Sequence, residues 1–306
     1  MLDIIIPCYN EEASIPICYE EISKICAAHD IAHRFIFIDD GSADGSWAAI
    51  EQLENAVGIK FSRNFGKEAA IQAGLLAAKG DCSLIIDVDL QHPIEMIPKM
   101  YALWRDEGWD VVNFVKRRES YKSGLHKGMS WLFNGLISRS VGIDMQKASD
   151  YKLLDRRMVQ VIASLPESQK FFRALVPWAG FKQTNVYYDT AKRRIGQSKW
   201  SFFSLLRYAL VNIASFSSVP LQLITGFGVL FTLFSFVLGL QTLLRFLSGN
   251  AIGGFTTVIL LQLITGSVLM LGIGIIGFYI SMIYNEIKRR PLYLVEAEKK
   301  IAHEDK

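Results

Sequence analysis

Two long runs without a charged residue constrain the last third of the chain. Positions 208–244 contain no Lys, Arg, Asp or Glu, and neither do positions 246–285, so that Arg245 alone separates the runs. A bilayer core of about 30 Å is crossed by roughly 20 apolar residues in a helix, because a helix satisfies its own backbone hydrogen bonds. Each run is long enough for one such span, and the sequence therefore predicts a membrane hairpin.

We place the two spans at about 219–244 and 255–284. A pair of buried core helices is the alternative, which the length of the runs disfavours. Because basic segments next to spans stay in the cytoplasm, we expect both termini to be cytoplasmic. The turn between the spans has a single Arg, whereas the outer flanks of the hairpin carry Lys192, Arg193, Arg194, Lys199, Arg207, Lys288, Arg289 and Arg290.

The composition excludes several classes of protein. With 51% hydrophobic residues the chain is not intrinsically disordered, and a formal net charge of +3 is too small to indicate a nucleic-acid-binding protein. The cysteines, Cys8, Cys18, Cys26 and Cys82, form no Cys-x-x-Cys pair. We therefore predict reduced, buried thiols and no nucleic-acid partner.

Short β-branched runs alternate with amphipathic stretches over the first 120 residues. This order predicts an α/β fold with a mostly parallel sheet and helices on both faces. Ligands on such sheets bind beyond the carboxyl ends of the strands. The predicted strands are Leu2 to Ile6, Phe35 to Ile38, Gly58 to Phe61, Ser83 to Ile86 and Asp110 to Val115, and helices are predicted to begin near Ala13, Asp44, Lys67 and Ile94.

The residues that follow three of these strands are unusually polar. They are Pro7-Cys-Tyr-Asn-Glu-Glu12, Asp39-Asp-Gly-Ser42 and Asp87-Val-Asp-Leu-Gln-His-Pro93. Carboxylates clustered at one sheet edge need a cation, and Asp87, Asp89 and Gln91 suit a hard ion such as Mg²⁺ or Mn²⁺. Such an ion can bridge a diphosphate, so the edge can hold a nucleotide. A turn followed by a helix cap is the alternative for the second motif alone.

Together with Ser62-Arg-Asn-Phe-Gly-Lys67, these motifs resemble those of family 2 inverting glycosyltransferases with the GT-A fold. Within that family the chain is most similar to the polyprenyl-phosphate branch, which includes dolichyl-phosphate mannose synthases and bactoprenol glucosyltransferases. The resemblance extends from the first strand through both predicted spans. The motifs indicate this family specifically when they occur as a set, although Asp-x-Asp alone is a weak indication.

The resemblance implies a donor site at the strand ends. It assigns Asp87 to the nucleotide sugar, and Asp89 and Gln91 to the Mg²⁺ or Mn²⁺ ion on the diphosphate. Arg63 and Lys67 are expected to open the helix after the third strand, where positive side chains and free N–H groups suit an anion such as the nucleotide sugar; an ordinary charged first turn is the alternative. The base and ribose pocket would be lined by Pro7, Tyr9, Glu11 and Asp40, with Asp39 beside them.

For the acceptor side, the resemblance points to Ala148-Ser-Asp-Tyr-Lys-Leu-Leu154 and Arg193-Arg-Ile-Gly-Gln-Ser-Lys-Trp200. With Asp89, Asp150 is an expected catalytic residue, although Ser149 stands where the family more often has Gly. Asp150 either orients groups, acts as a base or is a solvated loop residue. The residues expected to bind the acceptor phosphate are Arg117, Arg193, Ser198 and Lys199.

The implied activity is transfer of a sugar, with inversion, to polyprenyl (undecaprenyl) phosphate at the cytoplasmic face of the bacterial inner (plasma) membrane. Glucose from UDP-glucose is the favoured donor, and the product would serve O-antigen-type modification of a surface glycan. A non-catalytic or processive membrane component of glycan assembly is the alternative. The oligomeric state stays open, a homo-oligomer included.

The predicted organisation has four parts. Residues 1–199 form a cytosolic GT-A-like catalytic domain, and 200–217 form an amphipathic helix in the membrane interface. The transmembrane hairpin covers 218–285, and 286–306 form a cytosolic tail. We expect the polar end of this tail, from Glu296 onward, to be frayed.

Overall fold

The computed structural model describes residues 1–116, 150–167, 171–188, 219–249 and 254–301. The chain divides into two compact units, one made of Met1–Lys199 with Pro291–Lys306 and the other of Trp200–Arg290. Some predicted features lie outside the described residues and stay predictions. These are the interfacial helix and the expected acceptor-phosphate residues Arg117, Arg193, Ser198 and Lys199.

The described part of the first unit contains eight strands and six helices. The strands are β1 Leu2–Cys8, β2 His33–Asp39, β3 Ala56–Phe61, β4 Cys82–Ile85, β5 Val111–Lys116, β6 Lys152–Asp155, β7 Gln183–Tyr188 and β8 Val295–Lys299. The helices are α1 Ser14–Ala28, α2 Ser46–Glu51, α3 Lys67–Ala77, α4 Ile97–Glu107, which a 3₁₀ turn at Ile94–Met96 precedes, α5 Arg156–Ser164 and α6 Phe172–Trp178.

The strands form one sheet in the order β7-β5-β6-β4-β1-β2-β3-β8. The pairs β1–β2, β1–β4, β2–β3 and β5–β7 are parallel, whereas β6 is antiparallel to β4 and β5, and β8 is antiparallel to β3. The predicted mostly parallel α/β sheet is therefore confirmed. Each of the five predicted strands is present, with ends displaced by at most two residues.

Both faces of the sheet are covered by helices, as predicted. Along β1, Ile4 and Ile6 point to a core that includes residues of α1 and α4, whereas Ile5 points to a second core that includes residues of α3 and α5. All four cysteines are buried and free, as expected. A strand covered on both sides needs apolar residues at nearly every position, and the charged exception in β1, Asp3, pairs with Arg34. This requirement explains why β1 was recognisable as an unbroken run of isoleucines.

The segment after the second apolar run ends in a strand rather than in a frayed tail. Strand β8 extends the sheet beyond β3, and the expectation of fraying from Glu296 is wrong for positions 296–299. The strand is polar and mostly exposed, so its pattern gave no signal. Its backbone groups pair with a sheet edge that local sequence cannot reveal.

The second unit contains two helices in its described part, α7 Val219–Leu247 and α8 Phe255–Ile287. The segments Ile224–Arg245 and Leu261–Ile287 are long and apolar enough to cross a membrane, and almost none of their apolar surface is buried. Helices are thus present where the two spans were predicted. Large exposed apolar surfaces of this kind mark sites of contact with a membrane or another protein.

Candidate active site

The first two motifs form a single hydrogen-bonded edge, because β1 and β2 are adjacent and parallel. The N–H of Asn10 donates to Ser42 Oγ at 2.9 Å, and the N–H of Ala43 donates back to Asn10 Oδ1 at 2.9 Å. The N–H of Glu11 donates to Ser46 Oγ at 2.8 Å. These contacts join the ends of the two strands, so the predicted convergence of polar strand ends is present for β1 and β2.

The three residues of the first motif that are expected on the donor side differ in exposure. Pro7 is buried within the strand, whereas Tyr9 is 48% exposed and offers a ring to a planar group. Glu11 is half-buried and accepts a hydrogen bond of 2.6 Å from Ser14 Oγ. Tyr9 is therefore the most accessible of the three, and the ligand contacts of all three stay predictions.

Asp39 and Asp40 are adjacent, but their carboxylates differ in their hydrogen bonds. Both oxygens of Asp40 accept backbone N–H groups, from Phe65 at 2.6 Å and from Gly66 at 2.9 Å. Burial raises the pKa of Asp40 despite these bonds. Asp39 accepts from the Ser42 N–H through Oδ1, and its buried Oδ2 has no partner among the described residues. A buried oxygen of this kind needs a donor, which favours Asp39 over Asp40 as the ligand-binding member of the pair.

The 62–66 loop, Ser62 to Gly66, joins β3 to α3 and packs tightly on the Asp40–Gly41 turn. Gly41 has φ +70°, and a Cβ there would lie 2.3 Å from the backbone carbon of Arg63. Only glycine allows this approach. The loop thereby delivers Lys67, the first residue of α3, to the sheet edge.

Lys67 joins the donor side of the site to the expected acceptor side. Its Nζ lies 2.5 Å from Asp87 Oδ1 and 3.1 Å from Asp150 Oδ2. Arg173, on α6, binds Asp150 with two hydrogen bonds of 2.6 Å, from Nε to Oδ1 and from Nη2 to Oδ2. We call Lys67, Asp87, Asp150 and Arg173 the ionic cluster. It brings together residues that are 106 positions apart, 173 against 67, in the sequence.

The cluster keeps its carboxylates ionised. Burial would raise the pKa of Asp150, but the hydrogen bonds from Arg173 and the charge of Lys67 outweigh burial and hold this pKa well below its usual range. For Asp87, likewise, burial is outweighed by His92 and Lys67, so that the pKa is lowered. A carboxylate stabilised in this way is a weak base. The geometry therefore favours Asp150 as an orienting group and argues against a solvated loop residue, since its side chain is only 10% exposed.

His92 contacts the same edge from the loop after β4. Its Nδ1 lies 2.9 Å from the hydroxyl of Tyr188, and its Nε2 lies 3.8 Å from Asp87 Oδ2. The ring also packs on Tyr151, with centroids 4.9 Å apart. The sequence showed no partner for this histidine, because Tyr188 is 96 residues away along the chain. Here His92 positions Asp87 from one side while Lys67 holds it from the other.

Two further charged residues, which sequence reasoning missed, lie behind the cluster. Glu68 accepts a hydrogen bond of 3.0 Å from the N–H of Phe172, and burial raises its pKa to about 7. Lys152 lies over the ring of Phe172, with Nζ 5.3 Å from the centroid, and burial lowers its pKa to about 8. The only sequence signal was proximity to a predicted residue: Glu68 follows Lys67, and Lys152 is two residues after Asp150.

The expected metal ligands Asp89 and Gln91 are exposed on the loop after β4. Asp89 Oδ1 accepts the N–H of Gln91 at 3.1 Å, and Leu90 between them has φ +51°. No group of three His, Cys, Asp or Glu side chains within the described ranges is arranged to hold a metal. A carboxylate and an amide oxygen still fit Mg²⁺ or Mn²⁺, which commonly takes few protein ligands and completes its shell with phosphate oxygens and water.

Several proteins are similar to this chain over nearly its full length. The putative glycosyltransferase CsbB of Bacillus subtilis is 35% identical, over 97% of this chain and 91% of that protein. A prophage bactoprenol glucosyl transferase homolog of Escherichia coli is 34% identical, over 98% and 99%. The bactoprenol glucosyl transferase of Shigella phage SfV is also 34% identical, over 97% and 99%.

The fold is similar to that of solved glycosyltransferase structures. Glucosyl-3-phosphoglycerate synthase from Mycobacterium tuberculosis, in complex with UDP, has a TM-score of 0.52 and 19% identity, covering 70% of this chain and 79% of that one. The same enzyme in complex with Mg²⁺ and UDP has a TM-score of 0.51, again with 19% identity, over 71% and 79%. The model of glycosyl transferase family 2 matches residues 3–158. The chain therefore belongs to glycosyl transferase family 2 and is a glycosyltransferase with the GT-A fold.

Proposed function

We propose that the protein transfers a sugar from a nucleotide sugar to a polyprenyl phosphate, with glucose from UDP-glucose as the donor. The contact of Lys67 with both Asp87 and Asp150 carries this proposal. It places one cation between the carboxylate assigned to the donor sugar and the carboxylate assigned to the acceptor. Relatives named bactoprenol glucosyl transferases, similar from end to end, support a polyprenyl phosphate as the acceptor.

The reaction is a single inverting displacement. An oxygen of the acceptor phosphate attacks the anomeric carbon, the bond from that carbon to the diphosphate breaks, and its electron pair leaves with the nucleoside diphosphate. Lys67 stabilises the negative charge that develops beside Asp87. A Mg²⁺ or Mn²⁺ ion held by Asp89 and Gln91 would neutralise diphosphate charge. An α-linked donor gives a β-linked lipid product.

Asp150 orients the acceptor side and does not remove a proton in this scheme. A phosphate monoester has a second pKa of about 6 and is therefore largely ionised at neutral pH. Because Arg173 and Lys67 lower the pKa of Asp150, it would be a poor proton acceptor. The ion pair instead fixes its position, with both carboxylate oxygens engaged.

We further propose that α7 and α8 cross the inner membrane, with the active site and both termini on the cytoplasmic side. This arrangement gives the site access to a lipid phosphate at the headgroup level. The basic residues outside the two helices support the orientation. The lipid-linked sugar would then serve modification of a surface glycan of the O-antigen type.

Purified full-length protein, incubated with undecaprenyl phosphate and a panel of labelled nucleotide sugars, tests this proposal. We expect label in the extracted lipid when UDP-glucose is the donor. NMR of the product should show a β linkage between the sugar and the lipid phosphate. Asp89→Ala should abolish transfer, whereas the matched surface variant Glu54→Ala, at an exposed position after α2, should not. Absence of lipid-linked label with every nucleotide sugar would show that the acceptor assignment is wrong.

A further inference from the structure

The segment Leu292–Lys299, which follows α8 in the chain, packs against the loop that enters the active site. Strand β8 pairs with β3, and the N–H of Ser62 donates a hydrogen bond of 2.9 Å to the carbonyl oxygen of Leu294. The pairing is irregular between Lys60 and Phe61, directly before the 62–66 loop begins. The loop therefore starts from a backbone that β8 holds.

Three aromatic rings continue this contact toward the site. The ring of Tyr293 stacks on Phe61, with centroids 4.5 Å apart and planes 16° apart. Phe61 is fully buried and meets Phe65 edge-on at 5.8 Å. Both arrangements are favourable for aromatic pairs. Tyr293 is thus the outer ring of a stack whose inner ring belongs to the 62–66 loop.

The inner end of the stack is continuous with the active site. The N–H groups of Phe65 and Gly66 donate to the two carboxylate oxygens of Asp40. The next residue is Lys67, which contacts Asp87 and belongs to the ionic cluster. A displacement of the Phe65 ring would move these two N–H groups and the start of α3 together.

Strand β8 is also attached by side chains other than Tyr293. Lys60 forms an ion pair of 3.2 Å with Glu296, and Lys299 Nζ donates to the carbonyl oxygen of Ile50 at 3.0 Å. The strand thus keeps backbone and side-chain contacts when the Tyr293 ring is removed. A substitution at Tyr293 therefore tests the stack and leaves most of the strand in place.

We propose that Tyr293 is a positioning residue for the donor side of the active site, acting through Phe61 and Phe65 on the 62–66 loop and Lys67. A strand that follows the second apolar helix thereby completes the support of the site. The kinetic test of this proposal rests on the proposed nucleotide-sugar donor. Its structural test does not.

The kinetic test compares Tyr293→Ala, Tyr293→Phe and the control Leu294→Ala in the full-length protein. Leu294 is 54% exposed and contributes its backbone carbonyl to the loop. Loss of the stacked ring should raise KM for the nucleotide sugar about fivefold to tenfold, the effect of losing one aromatic pair. We expect KM for polyprenyl phosphate to stay within about twofold. Tyr293→Phe keeps the ring and should match the unaltered protein, as should Leu294→Ala.

The structural test measures hydrogen exchange of the Phe65 and Gly66 amides without substrate. These amides should exchange several-fold faster in Tyr293→Ala and at the original rate in Tyr293→Phe. A folded Tyr293→Ala protein with unchanged exchange and unchanged donor KM would overturn the proposal. Faster exchange with no lipid-linked product from any protein, the unaltered one included, would support the role of Tyr293 and overturn the proposed function. If Tyr293→Ala does not fold, Tyr293→Leu answers the same question.

Discussion

Replacing Asp150 with Asn separates two ways of activating the acceptor. The substitution keeps the shape of the side chain and removes its charge. The carboxylate accepts two hydrogen bonds from Arg173 and one from Lys67. The amide nitrogen of Asn cannot accept, so at least one charged donor loses its partner. Since hydrogen bonds to charged groups contribute about 1.5–3 kcal/mol each, we expect kcat to fall by about one to two orders of magnitude whichever role Asp150 has.

The pH dependence distinguishes the two roles. If Asp150 were the base, its lowered pKa would place the acidic limb below 3.8, the ordinary value for Asp, and the rate would be flat from pH 7 to pH 5. An acceptor phosphate with a second pKa of about 6 is roughly 90% doubly ionised at pH 7 and roughly 10% at pH 5. An ionised phosphate nucleophile therefore predicts about a tenfold fall in rate over the same interval.

The assay is kcat/KM for polyprenyl phosphate between pH 5 and pH 8 in the unaltered protein and in Asp150→Asn. We expect the acidic limb of the pH profile to lie near pH 6 in both proteins, with a lower kcat/KM in the variant. Glu68→Gln is the control, because Glu68 has a pKa of about 7 and could add a limb of its own. A flat profile in the unaltered protein, or a limb that disappears in Asp150→Asn, would show that Asp150 is the base.

Four further outcomes are expected. Reporters fused at Met1 and after Lys306 should both be cytoplasmic; ends on opposite sides would contradict the hairpin. Asp89→Ala, and EDTA with the unaltered protein, should remove nearly all transfer, and full activity in excess EDTA would exclude the metal. Lys199→Ala should raise KM for polyprenyl phosphate far more than KM for the nucleotide sugar, which loses no contact. Burial raises the pKa of Glu68 from 4.5 to about 7, so the folded state favours the protonated form, and the free energy of unfolding should fall by up to about 3 kcal/mol as the pH rises between those values. In Glu68→Gln the corresponding fall in Tm should vanish. A Tm profile of the variant that runs parallel to that of the unaltered protein would refute the burial of this carboxyl.

The central strands could be predicted from sequence because burial on both faces demands continuous apolar runs. Strand β1 has isoleucine at three successive positions, Ile4 to Ile6, and its ends were found within two residues. Strand β6 is only four residues long, and β8, Val-Glu-Ala-Glu-Lys, has the composition of a solvated segment. Such strands form because their backbone groups hydrogen-bond to the edge of a neighbouring strand. This pairing depends on the tertiary structure, so the local sequence does not reveal it.

The candidate site was predictable to the extent that it follows strand ends. Asp39 and Asp87 lie directly at or after β2 and β4, where the parallel sheet brings them to one edge. Asp150 was identified through family resemblance, since no long periodic segment precedes it. Arg173 was missed because it comes from the first turn of a seven-residue helix, and nothing in its neighbourhood indicates that its guanidinium reaches a carboxylate.

The charges of the ionic cluster predict that further cations take part in binding the acceptor. Two carboxylates, Asp87 and Asp150, face two cations, Lys67 and Arg173, so the formal charge of the cluster is zero. A doubly ionised phosphate entering a half-buried neutral site loses hydration without gaining a compensating charge. We therefore expect the compensating cations to come from other residues, and the expected acceptor residues, Lys199 among them, carry the required sign. This requirement is why Lys199→Ala should raise KM for polyprenyl phosphate, whereas Asp150→Asn should lower kcat.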